Sequence, residues 1–257
     1  MKVTCVGSAD AFHGAGRGHT CWLIDDEHGA AMVDFGATAL AGLRRLGRDP
    51  AQELDAVHFT HLHGDHIAGW PFLVLDAQHR ARRSRPLLVT GPPGTRDRLQ
   101  ALWAACYADT AARSLGFSID YRELLPGTEA VLAGRTVRVF RAQHMRPPHV
   151  ALSLRIGPVA FTGDTGAHGG LSELAQGAAL LCAECTDLEL RAPADEAERR
   201  HLSWAELRTL LPALGVGRVL LAHLSAEARA AGSAIEREAS ALDLDLRICD
   251  DGTAVDV

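Results

Sequence analysis

Thr60-His61-Leu62-His63-Gly64-Asp65-His66 places three imidazoles and a carboxylate within six positions, directly after the apolar run Ala56-Val57-His58-Phe59. Side chains two apart in an extended chain point the same way, so His61 and His63 can close on one metal ion from one side. Gly64 turns the backbone, and Asp65 and His66 beyond it can face a second ion. Imidazole and carboxylate are donors that zinc and similar divalent ions accept. Such an ion lowers the pKa of its water from 15.7 toward about 7, which makes hydroxide available at neutral pH. The competing reading, a solvated polar loop that happens to be rich in histidine, fits four ligand-type residues at this density poorly.

The run His61-Leu62-His63-Gly64-Asp65-His66 resembles the His-x-His-x-Asp-His signature of the metallo-β-lactamase-fold hydrolases. The resemblance demands a further His after a later strand, an Asp in a Gly-Asp turn that bridges two ions, and a last His after a C-terminal apolar strand. The chain offers His144 in Arg141-Ala142-Gln143-His144, Asp164 in Phe161-Thr162-Gly163-Asp164-Thr165-Gly166, and His223 in Val219-Leu220-Leu221-Ala222-His223. By that pattern His61, His63 and His144 hold one ion, Asp65, His66 and His223 the other, and Asp164 bridges. Two divalent ions per chain are implied, zinc first, with manganese or iron as alternatives because such donor sets accept several metals. Paired ions about 3.5–4 Å apart suit in-line displacement at phosphorus.

Cys182-Ala183-Glu184-Cys185-Thr186, followed by Arg200-His201-Leu202-Ser203, looks like the phosphodiesterase branch of that fold, which includes ribonuclease Z and cyclic-phosphodiester hydrolases. The resemblance makes Glu184 the carboxylate that orients His201, and His201 the acid that protonates a departing oxygen. The roles make chemical sense: an alkoxide needs a proton to leave, and imidazole titrates near neutrality. The chain departs from ribonuclease Z in two places. It has no insertion that could form a long tRNA-gripping arm, and Ala226-Glu227 stands where that group has a basic, aromatic segment. With a formal net charge of −6 and a pI near 6.1, broad nucleic-acid affinity is disfavoured. The expected substrate is a small or cyclic phosphodiester. A lactone or thioester hydrolase, a ribonuclease Z-type tRNA 3′-processing endonuclease and a non-catalytic metal-binding sensor are the alternatives; the first would want a tyrosine at the metals, and the chain has only Tyr107 and Tyr121.

These residues must be held at strand ends. Short strands separated by Gly- and Asp-rich turns dominate the first third, and the ligand-bearing segments Thr136–Ala142, Val159–Thr162 and Arg218–Ala222 also read as strands. Helices are expected over Thr95–Ala108, Gly170–Ala175, Ser203–Leu214, where Ser203-Trp204-Ala205-Glu206 is a capping-box pattern, and Glu227–Leu242. Two successive strand-and-helix halves imply a single α/β domain, an αββα sandwich of two packed mixed sheets with outer helices, as the resemblance also implies. Asp250-Asp251-Gly252 is expected to turn a final hairpin, and apolar Ile67–Leu75 to cover the site. The loop Asp10–Gly18, holding His13 and Arg17, should lie beside the metals, and His149 is near enough in sequence to His144 to touch substrate.

Nothing in the composition, 47% hydrophobic and 23% charged, points away from an ordinary water-soluble protein. No run approaches the 18 apolar residues of a membrane span. Met1–Gly7 already reads as a strand, with no apolar signal segment, so a cytoplasmic location and reduced thiols are expected. Cys182 and Cys185 read as core thiols, three apart and therefore on opposite faces of one strand. The basic run from His79 to Arg85 reads either as a solvated loop or as a rim patch for a substrate phosphate. A homodimer is the expected assembly, by analogy with the fold.

Overall fold

The strand Cys21–Asp26 shows how both faces of a sheet are buried. Trp22 and Ile24 join one apolar cluster while Cys21 and Leu23 join another, the period-two alternation of a strand packed on both sides. The same alternation divides Leu180–Glu184: Leu180 and Cys182 face one cluster, Leu181 and Ala183 a third. The computed structural model describes residues 1–190 and 200–257, and these form four layers, helix, sheet, sheet, helix.

The first sheet contains β1 (Lys2–Gly7), β2 (Cys21–Asp26), β3 (Gly29–Val33), β4 (Leu54–His58), β5 (Leu87–Gly91) and β6 (Ile119–Glu123). The second contains β7 (Glu129–Leu132), β8 (Arg135–Ala142), β9 (Ala151–Ile156), β10 (Val159–Phe161), β11 (Leu180–Glu184), β12 (Val219–Ala222) and β13 (Leu246–Ile248). The last strand, β14 (Ala254–Asp256), returns to the first sheet. Each sheet has seven strands, in the orders β14-β1-β2-β3-β4-β5-β6 and β13-β12-β11-β10-β9-β8-β7. Pairing is parallel from β3 to β6 and from β10 to β13, and antiparallel elsewhere. Because β8 is antiparallel to β9 and β9 to β10, strands β8, β10, β11 and β12 run the same way. Their C-terminal ends share one edge of the second sheet, the edge at which such sheets bind ligands.

Parallel neighbours need crossovers, and helices supply them on the outer faces. Helix Thr95–Cys106 joins β5 to β6 and buries Leu99 and Trp103 against the first sheet. Helix Trp204–Leu214 joins β11 to β12 and buries Leu207 and Leu211 against the second. Its capping box is formed: the Ser203 hydroxyl accepts from the Glu206 amide at 3.2 Å, and the Ser203 amide donates to the Glu206 carboxylate at 3.0 Å. Between the sheets lie Val3, Trp22, Leu154, Phe161 and Leu220, among others. Cys182 belongs to this inter-sheet core and Cys185 to the outer one, as their spacing requires, and both are free thiols. No helix among the described residues is long and apolar enough to cross a membrane.

Four expectations are corrected. Asp250-Asp251-Gly252 does not close a hairpin: β13 pairs with β12 and β14 with β1, so this turn carries the chain from one sheet to the other. Apolar Ile67–Leu75 does not cover the site, because Trp70, Leu73 and Val74 are buried in the cluster under the first sheet's helices. The C-terminal helix is two, Ala226–Ala230 and Gly232–Ala241, broken at Ala231. The basic run is not a phosphate rim: His79, Arg80, Arg82 and Ser84 are exposed, as a solvated loop requires, but the run is tied down by Arg80, Arg83 and Arg85. Arg83 is buried and donates to the carbonyls of Ala51, Leu54 and Pro86, Arg85 pairs with Asp55, and Arg80 with Asp49 and Asp76. This knot ties down the start of β4, at the opposite end from the metal-ligand motif.

His58, at the end of β4, is fully buried, with Nδ1 2.8 Å from the Thr90 hydroxyl. Burial, aided by the positive charge of Arg135, pushes its pKa down to about 4. The unfolded chain therefore takes up this proton first, near pH 6.5, and the stability His58 contributes is lost as pH falls from there toward 4. Urea unfolding of metal-stripped protein should show the midpoint dropping over this window, and His58→Gln should flatten the drop, by up to about 1.4 kcal/mol per pH unit. An unchanged slope in the variant would contradict the assignment.

Candidate metal centre

The C-terminal ends of β4, β8, β10 and β12 deliver the sequence-predicted ligands to one place. His61, His63 and His144 form one group of donors, and Asp65, His66, Asp164 and His223 another, each group's ligand atoms lying within 4.8 Å of one another. In the first, His63 Nδ1 is 3.1 Å from His61 Nε2 and 3.0 Å from His144 Nε2. Nitrogens bonded to one zinc at about 2.0–2.1 Å stand at about this separation. The second group centres on Asp164, whose Oδ2 is 3.3 Å from His223 Nε2 and 3.4 Å from His66 Nε2. The same oxygen is 3.8 Å from His61 Nε2 and 3.7 Å from His144 Nε2. One carboxylate oxygen thus faces both groups. Asp65 Oδ2 closes the second group, 3.2 Å from His66 Nε2 and 3.5 Å from His223 Nε2.

The outer nitrogens of His61, His66, His144 and His223 are engaged. Thr60 donates its hydroxyl to Asp34 and so accepts from His61 Nδ1 at 3.1 Å. Asp34 also accepts from His66 Nδ1 at 2.8 Å. The Arg200 carbonyl accepts from His144 Nδ1 at 2.9 Å, and the Thr186 hydroxyl, which donates to Glu184, accepts from His223 Nδ1 at 2.8 Å. With Nδ1–H fixed, Nε2 of His61, His66, His144 and His223 is turned to the centre, the arrangement that orients imidazoles toward a metal, while exposed His63 faces it through Nδ1. His66 Nε2 and His223 Nε2 are buried without a hydrogen-bond partner, beside carboxylate oxygens that can only accept. A cation satisfies both, so the residues present fit a divalent pair.

Electrostatics lead the same way. Burial would raise the Asp164 carboxyl, but His223 and His66 outweigh it and hold the group well below the usual range. Burial also opposes charging of His66, yet Asp164 and Asp34 push it well above an ordinary imidazole. Buried His61, with His66 as its next cause, is pushed well below. The protons that these shifts retain lie where cations sharing the same oxygens would bind.

Backbone conformation is stretched to make this fit. His223 and Asp34 have left-handed φ of 57° and 62°, costly for residues with side chains and characteristic of functional sites. Gly163 also has φ 57°, and a Cβ there would meet the Leu152 carbonyl at 2.9 Å and the Thr60 side chain at 3.0 Å. Asp34 was missed by sequence reasoning; its signal is an acid closing the apolar run Ala30–Val33, where burial demands a partner.

Glu184 and His201 also reach the site. His201 Nδ1 lies 3.1 Å from both Glu184 oxygens, and each residue shares a donor group with His223. Glu184 is buried and further receives the Thr165 amide at 2.6 Å. The loop after Ala9 springs from beside His223, since Ala9 bridges to both His19 and Leu224; it carries Phe12, 89% exposed, and His13 stacked on buried His19. His149 is exposed, and among the described residues no contact joins it to the candidate ligand groups. Neither tyrosine lies at the centre: Tyr107 packs on Phe72 and Trp103, and Tyr121 on Trp70.

Two seven-stranded sheets with a His/Asp metal site at their strand ends define a metallo-β-lactamase-fold hydrolase. The model of the anti-Pycsar protein Apyc1 family matches residues 1–238, and the chain belongs to that family. Ribonuclease Z of Halorubrum lacusprofundi is similar, 26% identical over all of this chain and 97% of the relative. Among solved structures, the metallo-β-lactamase-fold protein YhfI of Bacillus subtilis superposes with TM-score 0.79 at 22% identity, covering 99% of this chain and 98% of its own. A diphosphatase of the PhnP family superposes with TM-score 0.77 at 13% identity, covering 100% and 97%.

If Asp164 serves both groups, Asp164→Ala should reduce bound metal from about two ions per chain to one or none, measured by elemental analysis after dialysis. Asp34→Asn should weaken metal affinity by about 10–100-fold while leaving the fold intact. Retention of both ions in Asp164→Ala would contradict the shared-oxygen reading.

Proposed function

We propose that this protein is a binuclear metal-dependent phosphodiesterase that opens a small cyclic phosphodiester, a cyclic nucleotide first among them. His61, His63 and His144 would hold one ion, Asp65, His66 and His223 the other, with Asp164 shared. Zinc is the leading candidate and manganese the next. When bound, such a pair supplies hydroxide at neutral pH and neutralises charge building on a phosphoryl group.

The observation that carries the reading is the Glu184–His201 pair. Burial disfavours a charged His201, but Glu184, through its charge and its hydrogen bond, outweighs that and pushes the pKa up to about 9. Held at Nδ1 by Glu184, the imidazolium keeps Nε2–H to give to an alkoxide oxygen as the P–O bond breaks. A phosphodiester with an alcohol leaving group needs that proton, and a lactone or thioester needs it far less. Membership of a family of cyclic-nucleotide-degrading phosphodiesterases supports the same substrate class. The match to ribonuclease Z extends over 313 aligned positions against 257 residues here, so that relative carries segments this chain lacks, which favours a small substrate over tRNA. Phe12, exposed on the loop beside His223, offers a stacking face for a base.

His201→Ala should keep both metals and lower turnover of 3′,5′-cyclic nucleotides by about 10²–10⁴-fold. The loss should shrink with bis-p-nitrophenyl phosphate, whose leaving group departs without help; equal losses on both would remove the acid from His201. Phe12→Ala should raise KM for a cyclic nucleotide several-fold with kcat little changed, measured by phosphate-ester release under initial-rate conditions.

A further inference from the structure

A second cavity, of about 520 Å³, opens on the helical face of the first sheet beside its edge strand β6. None of its lining residues belongs to the metal centre, and β6 lies two strands from β4. Its size falls within the range of small-molecule sites.

The walls are aromatic and the mouth is cationic. Trp70, Trp103 and Tyr121 line the cavity, Trp70 and Tyr121 with ring centroids 6.4 Å apart at 62°. Arg96, Gln100 and Arg113 line it as well, all three exposed. The Arg96 guanidinium stands 5.8 Å from the Tyr121 ring centroid. Among the described residues neither arginine has a carboxylate partner, whereas Arg44, Arg48, Arg80, Arg85 and Arg135 are all paired. Two guanidinium groups without carboxylate partners give the cavity a local positive charge in a chain of net charge −6, with the Glu123 carboxylate nearby accepting from the Arg96 amide at 3.4 Å. The Tyr121 hydroxyl and the Gln100 amide also have no hydrogen-bond partner among the described residues, and burial pushes the Tyr121 phenol up to about 12, so it remains a donor at neutral pH.

Flat apolar walls select a planar ring, and guanidinium groups select phosphate or carboxylate, which they bind through charge-assisted hydrogen bonds. We propose that this cavity binds a small aromatic anion, its ring against Tyr121, the half-buried aromatic of the lining, and its charged group between Arg96 and Arg113. The site is separate from the hydrolytic centre, so the proposal stands or falls independently of the reaction assigned there.

The test is tryptophan fluorescence and calorimetric titration of the metal-loaded protein with 5′-AMP and 2-naphthoate, with adenosine as the uncharged control. Saturable quenching by at least one of the two anions is expected, with adenosine binding at least tenfold more weakly than 5′-AMP. Replacing Arg96→Ala or Arg113→Ala should weaken binding about tenfold each, with metal content and diesterase turnover unchanged. His63→Ala should leave this binding intact, which separates it from anion capture at the metals. A response to 5′-AMP alone would specify a nucleotide ligand, and to 2-naphthoate alone a carboxylate. Absence of saturable binding by either anion, loss of it in His63→Ala, or indifference to both arginine replacements would overturn the proposal.

Discussion

The site depends on placing a single carboxylate oxygen, Asp164 Oδ2, within 3.3–3.8 Å of four imidazole nitrogens. A buried anion is tolerated only with compensating positive charge. Those nitrogens come from three separate segments: the turn after β4 in one sheet, and the ends of β8 and β12 in the other. The sandwich is what allows this convergence. Its two sheets bring strands of like direction to one edge, and the inter-sheet core of Trp22, Phe161 and Leu220 fixes their separation.

The remaining hydrogen bonds serve this point. Asp34 and Thr60 hold His66 and His61 from the first sheet, while Thr186 and the Arg200 carbonyl hold His223 and His144 from the second. Glu184 links the centre to His201, receiving Thr186 on one side and His201 on the other. The left-handed backbone at His223 and Asp34 is the conformational cost of aiming both residues inward from strand ends. The helix Trp204–Leu214 contributes at a distance: its capping box fixes Ser203, two residues after His201, and so limits where His201 can lie.

The residues that converge on the candidate centre were legible in the sequence because their chemistry is dense and each follows an apolar run. The αββα layering was legible because strand alternation and helix periodicity survive in Cys21–Asp26 and Trp204–Leu214. Asp34 was not, since one acid at the end of a strand looks like an ordinary turn residue until His66 is seen against it. Arg83 misled for a related reason: a run of arginines looks solvent-facing, and only the carbonyls of Ala51, Leu54 and Pro86 show why one of them is buried. The last turn misled because Asp250-Asp251-Gly252 has hairpin chemistry, whereas strand partners are chosen by long-range packing that local sequence does not encode. The cavity under Trp103 was invisible too, because a helix that buries Leu99 and Trp103 gives no local sign that its flank stays open.

The most direct test is anomalous scattering from crystals grown with manganese. The account predicts two peaks per chain on either side of Asp164, one within bonding distance of His61, His63 and His144, the other of Asp65, His66 and His223. A single peak, or two that do not share Asp164, would contradict it.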